Sequence, residues 1–280
     1  MTDREDGDGE DRLKEVTVTV SRDEADVSLA LLLGISPRGV IERKGTADTV
    51  EYVFYLSAET EIPDLAGMDV RSRLIAKVDW EEQARRHFHP VEVGPLRVIA
   101  PWMPRRDERD LFIEPGAAFG TGGHESTRLA LEMLVGALAD ETVDSILDVG
   151  CGTGILALSA LRLGVSRAWA CDIDDAAVRA ARKNAAINNL EGRLNAFKLD
   201  VTELDLDEFP LVLANINAPT IILRAKALAR LTAPRGQLIV SGIYKEQTER
   251  VLCGLRENFE EMSRAREGSW CALRLARGGD

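Results

Sequence analysis

A chain of 280 residues suits one large domain or two modest ones, and 45% apolar with 29% charged residues is the make-up of an ordinary globular protein, not of a fibrous or disordered one. No run reaches the ~20 apolar residues of a membrane span, and the acidic start MTDREDGDGEDR lacks the basic region and apolar stretch of a signal peptide, so a cytoplasmic protein without membrane contact is expected. A net charge of −12 works against direct nucleic-acid binding, which needs a basic surface, and makes a basic protein the fitting partner.

Residues 1–11 carry six acids and one Arg, so they supply −5 of that charge and leave −7 on the rest. They are poor in apolar residues and read as a disordered tail. At 16–20, Val alternates with Thr as in a half-buried strand. Residues 26–33 read as a helix ended by Gly34. The stretches 40–43 and 49–56 are rich in β-branched and aromatic residues, as strands are. Together 12–75 make a small α+β domain, with a further helical stretch expected at 67–75. Residues 76–110, with four prolines (Pro90, Pro95, Pro101, Pro104), read as a linker holding short strands, the best at 96–100. The boundary falls near 76–90, and a second domain spans 111–280.

From Thr127 onward, strands and helices alternate: helix 129–138, strand 145–149, helix 155–163, strand 167–171, helix 175–188, strand 195–199, strand 211–214, helix 219–231 and strand 237–241. This order argues for a Rossmann-like α/β domain, a parallel sheet with helices on both faces. Such sheets take ligands at the carboxyl ends of their strands. The four cysteines (Cys151, Cys171, Cys253, Cys271) form no CxxC pair, which argues against disulfides or a zinc site and predicts buried free thiols. No metal is expected.

The strand-end loops carry the informative residues. Strand 145–149 runs into Gly150-Cys151-Gly152-Thr153-Gly154. These glycines permit a tight turn and close backbone approach to a ligand at a helix start. The spacing is G-x-G-x-G, not the G-x-G-x-x-G of dinucleotide enzymes, and alone it also fits a turn that binds nothing. Asp172 follows Gly150 by 22 residues, near the ~20 expected of an acid that accepts both ribose hydroxyls; Asp174 is the better candidate for capping the next helix. Asp200 ends the following strand and is either an acceptor for an adenine amino group or a solvated turn acid. Asn215, in Asn215-Ile216-Asn217-Ala218-Pro219, offers a donor and an acceptor to an incoming amine, or serves as a turn residue. Ahead of the sheet, 119–127 (FGTGGHEST) reads as a glycine-rich lid ending in a helix cap. Phe119, Thr121 and Gly122 are candidate lid contacts, and Thr127 can aim its hydroxyl at the cofactor. His124 is a lone loop histidine, for which a structural or merely exposed position is favoured over the role of a base.

Taken together, HFHP (87–90), EPGAAFGTGGHEST (114–127), ILDVGCGTGILALSALRLG (146–164), CDID (171–174), ANI (214–216) and SGI (241–243) resemble the PrmA family. These are bacterial class I methyltransferases that modify amino groups of the eleventh protein of the large ribosomal subunit. The resemblance covers about residue 80 to the C-terminus. It implies S-adenosylmethionine as cofactor, with contacts at positions matching Thr127, Gly150, Asp172 and Asn215, beside Gly152 and Asp200 from the loop reading. It also implies a small N-terminal domain that recognises the ribosomal substrate. Two loops depart from the family pattern. Gly123 and Glu125 stand where the family has Thr and Pro (GTGTHPTT), and Asn217 stands where it has Leu (NILAGP).

The chemistry expected is methyl transfer to a neutral amine, driven by position and by exclusion of water. Asn215, the backbone after it and the Phe119–Gly122 lid are the candidates for orienting that amine. Alternatives are a lysine methyltransferase of the electron-transfer flavoprotein β-subunit, a small-molecule amine methyltransferase, a nicotinamide-dependent oxidoreductase, and an inactive cofactor-binding interaction protein.

Overall fold

The computed structural model describes residues 12–36, 40–46, 48–65, 67–76, 88–114 and 123–279. The acidic tail at 1–11, the 80–87 part of the connector and the lid candidates Phe119, Thr121 and Gly122 lie outside these residues. The chain divides into two units, Met1–Phe88 and His89–Asp280.

In the first unit, β1 (Arg12–Ser21), β2 (Ile41–Lys44), β3 (Thr49–Ser57) and β4 (Asp69–Ala76) form an antiparallel sheet of order β2-β3-β1-β4, with helix α1 (Ala25–Ile35) between β1 and β2. The Val-Thr alternation of β1 puts Val16, Val18 and Val20 on one face, where they pack with Tyr52, Phe54 and Leu32. On β1 the neighbouring Glu15 is also buried. Its carboxylate accepts from the Tyr55 hydroxyl at 3.1 Å and Arg73 Nε at 2.6 Å, the partners a buried charge requires.

Two expectations change here. The stretch 67–75 is not helical but supplies β4. Its side chains are nearly all solvent-facing, so Val70-Arg71-Ser72-Arg73 shows no period-2 pattern to read. The deciding interaction is non-local: β4 fills the edge of β1, from Thr19↔Asp69 to Arg12↔Ala76. In α1 the helix also runs through Gly34 to Ile35 instead of stopping at the glycine.

The second unit begins with β5 (Val91–Val93), β6 (Leu96–Ile99) and β7 (Asp110–Phe112), a small sheet of order β5-β6-β7. Part of the stretch read as a linker is therefore built into this unit. Val91, Val93, Leu96, Val98 and Leu111 are buried in the same core as Leu129, Leu134 and Ile155. A buried Arg97–Asp110 pair at 2.7 Å ties β6 to β7.

Next come α2 (Glu125–Asp140), β8 (Ser145–Val149), α3 (Ile155–Arg162), β9 (Arg167–Asp172), α4 (Asp175–Ile187), β10 (Leu194–Lys198) and β11 (Phe209–Asn215). After them follow α5 (Ala218–Leu223), α6 (Ala225–Leu231), β12 (Thr232–Tyr244), α7 (Thr248–Leu255), β13 (Phe259–Glu267) and β14 (Trp270–Arg277). The expected single helix at 219–231 is two short ones joined at Arg224. The sheet has seven strands in the order β10-β9-β8-β11-β12-β14-β13. The first five are mutually parallel, and β14 runs against both its neighbours.

Apolar residues fill both faces of the central strands. Ile146, Leu211 and Leu213 face the core shared with α2, α3 and α4, while Leu147, Val212 and Ala214 face the core shared with α5, α6 and α7. Strand order reverses between β8 and β11, so their carboxyl ends flank the crevice where such folds place ligands.

Candidate functional site

The first loop leaves β8 through Gly150, Gly152 and Gly154, whose φ angles are 70°, 54° and 78°. That left-handed region strains residues with a Cβ. Space adds a second constraint, since a Cβ on Gly150 would overlap the Ile216 side chain and one on Gly154 would lie 2.9 Å from Ala181 Cβ. The turn is pinned to β9 by Gly150 N and Cys151 N donating to Cys171 O at 2.8 and 3.1 Å. Beneath it Asp148, 1% exposed, accepts from Ala157 N at 3.1 Å. Burial pushes its carboxyl up to about 7. Burial likewise raises the Cys151 thiol and pushes Cys171 up to about 12, so both stay neutral. Cys151, Cys171 and Cys271 are buried as expected, but Cys253 is exposed on the outer side of α7.

At the end of β9, Asp172 Oδ2 accepts from Gly152 N at 3.0 Å and Oδ1 from Asp174 N at 3.0 Å. The carboxylate thus ties the glycine loop to the start of α4. Burial raises its pKa, and the two amide donors pull it partly back. Asp174 is the cap of α4, accepting from Ala176 N at 2.8 Å.

Asp200, at the end of β10, is more heavily engaged. Oδ1 accepts from Thr202 N and Oγ1, and Oδ2 from the Arg224 guanidinium at 2.8 Å. Burial pushes this carboxyl up, but those donors outweigh it and leave it below the usual range. Two apolar side chains missed in the sequence sit beside these acids. Ile173 is 72% and Leu199 38% exposed, each next to a strand-end acid, and they offer apolar faces to a planar ring. Only that adjacency could have flagged them.

At the end of β11, Asn215 Nδ2 donates to Thr127 Oγ1 at 3.3 Å. Asn215 Oδ1 is buried and finds no partner among the described residues. Gly242, at φ 77°, lies against this loop; a Cβ there would be 2.8 Å from Ile216 O and 3.1 Å from Asn215 Oδ1. Asn217 caps α5, accepting from Thr220 N at 2.9 Å.

Thr127 comes from α2 and is completely buried. The cap of that helix is His124, not Ser126 or Thr127. Its Nδ1 accepts from Ser126 N at 3.2 Å, and its ring meets Trp270 edge-on at 4.6 Å. Burial lowers its pKa. His124 therefore has the structural role.

The structure thus gathers Gly150, Gly152 and Asp172 into one hydrogen-bonded turn and Thr127 and Asn215 into a second pair. The two meet where Gly150 abuts Ile216. Asp200 stands at the next strand end, held by its own turn and by Arg224. A glycine cradle and a strand-end acid fit an adenosine-bearing cofactor, and the buried unpartnered acceptor beside them fits a ligand group that brings its own donor. Among the described residues, no group of three His, Cys, Asp or Glu side chains could hold a metal ion. No helix there is long and apolar enough to cross a membrane.

Other residues unforeseen from sequence are Asn184 and Asn188 on α4 and at its end. Asn184 Oδ1 accepts from Glu114 N, and Asn188 both accepts from Phe112 N and donates to Phe112 O. They fix the backbone leading into 115–122.

Comparison with known proteins places the chain in a family. Residues 42–278 match the family described as ribosomal protein L11 methyltransferase (PrmA). The ribosomal protein L11 methyltransferase of Thermoanaerobacter pseudethanolicus is 34% identical over 214 residues, covering 75% of this chain and 68% of that one. That of Edwardsiella ictaluri is 38% identical over 222 residues, covering 77% and 74%. A crystal structure of ribosomal protein L11 methylase from Lactobacillus delbrueckii subsp. bulgaricus superimposes with a TM-score of 0.61 at 29% identity, covering 68% of this chain and all of that one. With the family match running through every strand of the large sheet, this chain belongs to the PrmA family of methyltransferases.

Proposed function

We propose that this chain moves a methyl group from S-adenosylmethionine to amino groups of ribosomal protein L11, on lysine side chains, the N-terminal amine or both. The observation that carries this reading is the buried, unpartnered Asn215 Oδ1 at the end of β11, beside a glycine cradle built for a nucleoside. Bound S-adenosylmethionine would supply an electrophilic methyl group on a cationic sulfonium. Asp172 would accept the ribose hydroxyls, and Gly150 and Gly152 would let the backbone approach. Ile173 and Leu199 would flank the adenine. Asp200, each of whose oxygens already accepts two contacts where those of Asp172 accept one, serves the adenine edge mainly by fixing its turn.

The incoming amine needs orientation and deprotonation. A lysine ammonium near pKa 10.4 must lose its proton before it can attack. Desolvation beside a cation lowers that pKa, so the chain needs no strong base. Asn215 Oδ1 and Ile216 O accept from the amine N–H groups and aim its lone pair, with Phe119 as a candidate for closing the site.

The named relatives favour the ribosomal substrate over the electron-transfer flavoprotein, and the G-x-G-x-G turn disfavours a nicotinamide cofactor. The test is incubation with radiolabelled S-adenosylmethionine and, in parallel, isolated L11 and electron-transfer flavoprotein. Label is expected in L11 alone. Asp172→Ala should weaken cofactor binding about 100-fold, since two charge-assisted bonds are worth about 3 kcal/mol. Label in the flavoprotein, or in neither with cofactor binding intact, would refute the substrate assignment.

A further inference from the structure

Thr127 is completely buried, and a buried hydroxyl is costly unless it is bonded. Its Oγ1 accepts from Asn215 Nδ2 at 3.3 Å. An amide has one donating and one accepting end. With Nδ2 committed to Thr127, Oδ1 must turn the other way, where it is buried without a partner among the described residues. The bare Cα of Gly242 packs closely against that side of the loop. A Cβ at that position would lie within 3.1 Å of Asn215 Oδ1 and 2.8 Å of Ile216 O, so the two acceptors converge on one small volume.

We propose that Thr127 is a positioning residue whose hydroxyl holds the Asn215 amide in place, with Oδ1 presented to the incoming amine. This rests on the role given to Asn215 above. The sense of the amide decides whether the nucleophile works. An acceptor facing the amine takes an N–H and leaves the lone pair free to attack. A donor there would bind the lone pair and block attack. A solvent-exposed asparagine would swing freely past its ligand, but here the contact with buried Thr127 holds the amide against the site in advance.

Thr127 is held in place by the first turn of α2. Ser241 Oγ donates to Ser126 O at 2.8 Å, anchoring that turn to β12. His124 caps it against Trp270 of β14. Arg128, one residue on, makes a two-pronged ion pair with Glu267 of β13 at 2.8 and 2.5 Å. The antiparallel edge of the sheet thus acts as the mount for one hydroxyl. A hydroxyl that accepts from Asn215 keeps its own proton for another acceptor, so a cofactor contact at Thr127 is compatible with this role and must be separated from it.

The experiment is single-turnover methyl transfer to L11 at saturating S-adenosylmethionine, with cofactor Kd by calorimetry. The proteins are wild type, Thr127→Val, Thr127→Ser, Asn215→Ala and the Thr127→Val/Asn215→Ala double variant. Thr127→Val should slow transfer about 10- to 100-fold, as a misaligned reacting group does, with a much smaller change in cofactor Kd. Thr127→Ser should recover most of the rate. The double variant should be no slower than Asn215→Ala alone, because Thr127 has nothing left to orient.

Losses that multiply in the double variant would overturn the proposal. So would a Thr127→Val defect confined to cofactor Kd. Should Thr127→Val fail to fold, Thr127→Ala against Thr127→Ser makes the same comparison. Wild-type protein that binds cofactor but leaves L11 unlabelled overturns the proposed function, and this inference with it. An active wild type with multiplying losses overturns this inference alone.

Discussion

Asp148 ends in a pocket where its carboxyl has one backbone donor, Ala157 N, and one acidic neighbour, Asp172. Burial favours its neutral form, so its folded pKa of about 7 stands above the ordinary 3.8. A raised folded pKa contributes stability that is full below the unfolded value and lost as pH climbs through the folded one. The wild type should therefore lose stability, relative to Asp148→Asn, between about pH 4 and pH 7. Asparagine keeps an acceptor for the Ala157 amide and does not ionise. Melting both proteins across pH 4–8 should show the variant's advantage growing with pH, by at most about 4 kcal/mol, and levelling off above pH 7. A constant gap would mean that Asp148 stays ionised throughout.

At this scale the sequence was informative where chemistry follows directly from chain position. Asp172 and Asn215 were legible because each directly ends a strand. Ile173, Leu199, Asn184 and Asn188 were not, since their roles depend on exposure and on partners as much as 76 residues away in the chain.

Among elements, the parallel strands were the easiest to read because they are apolar on both faces, and β4 was the hardest because it is largely exposed on both. A local pattern exists only where one face is buried. The edge of β1, more than 45 residues upstream, decides β4. The cap of α2 lies at His124, ahead of Ser126 and Thr127, which are good capping residues by type: Ser126 Oγ pairs with His124 Nδ1 and Thr127 Oγ1 with Asn215, leaving His124 to accept from Ser126 N.

The end of α4 illustrates how one side chain can join elements. Asn188 Oδ1 accepts from Phe112 N at 2.9 Å and the Arg162 guanidinium at 3.1 Å; Nδ2 donates to Phe112 O at 2.6 Å and Asn184 O at 2.8 Å. Its removal would strand a part-buried amide and carbonyl of β7 and the buried Asn184 carbonyl. Asn188→Ala should therefore cost about 2–4 kcal/mol, the penalty of one or two unsatisfied buried groups beyond the bonds themselves. Denaturant unfolding would measure this, and a loss below 1 kcal/mol would show that water replaces the side chain freely.

For the molecule as a whole, the chain divides into Met1–Phe88 and His89–Asp280, each with its own apolar core. The His89–Asp280 unit contains the large sheet, both of its apolar cores and all the strand-end residues discussed above. It has what an independently folding domain needs. The Met1–Phe88 unit has its own core around Val16, Val18, Tyr52 and Phe54 and contributes none of the described strand-end residues. We propose that the second unit carries the cofactor chemistry and the first the substrate selection.

A fragment spanning 89–280 should accordingly bind S-adenosylmethionine with a Kd within a few-fold of the full chain. Its kcat/KM for L11 should fall by more than about 100-fold, the loss of some 3 kcal/mol of docking energy. The loss should appear mainly in KM, because the groups that orient the amine are all retained. Calorimetry and methyl-transfer kinetics on the two proteins separate the possibilities. Undiminished kcat/KM would place substrate selection inside the catalytic unit. Loss of cofactor binding would show instead that the first unit is needed to build the site.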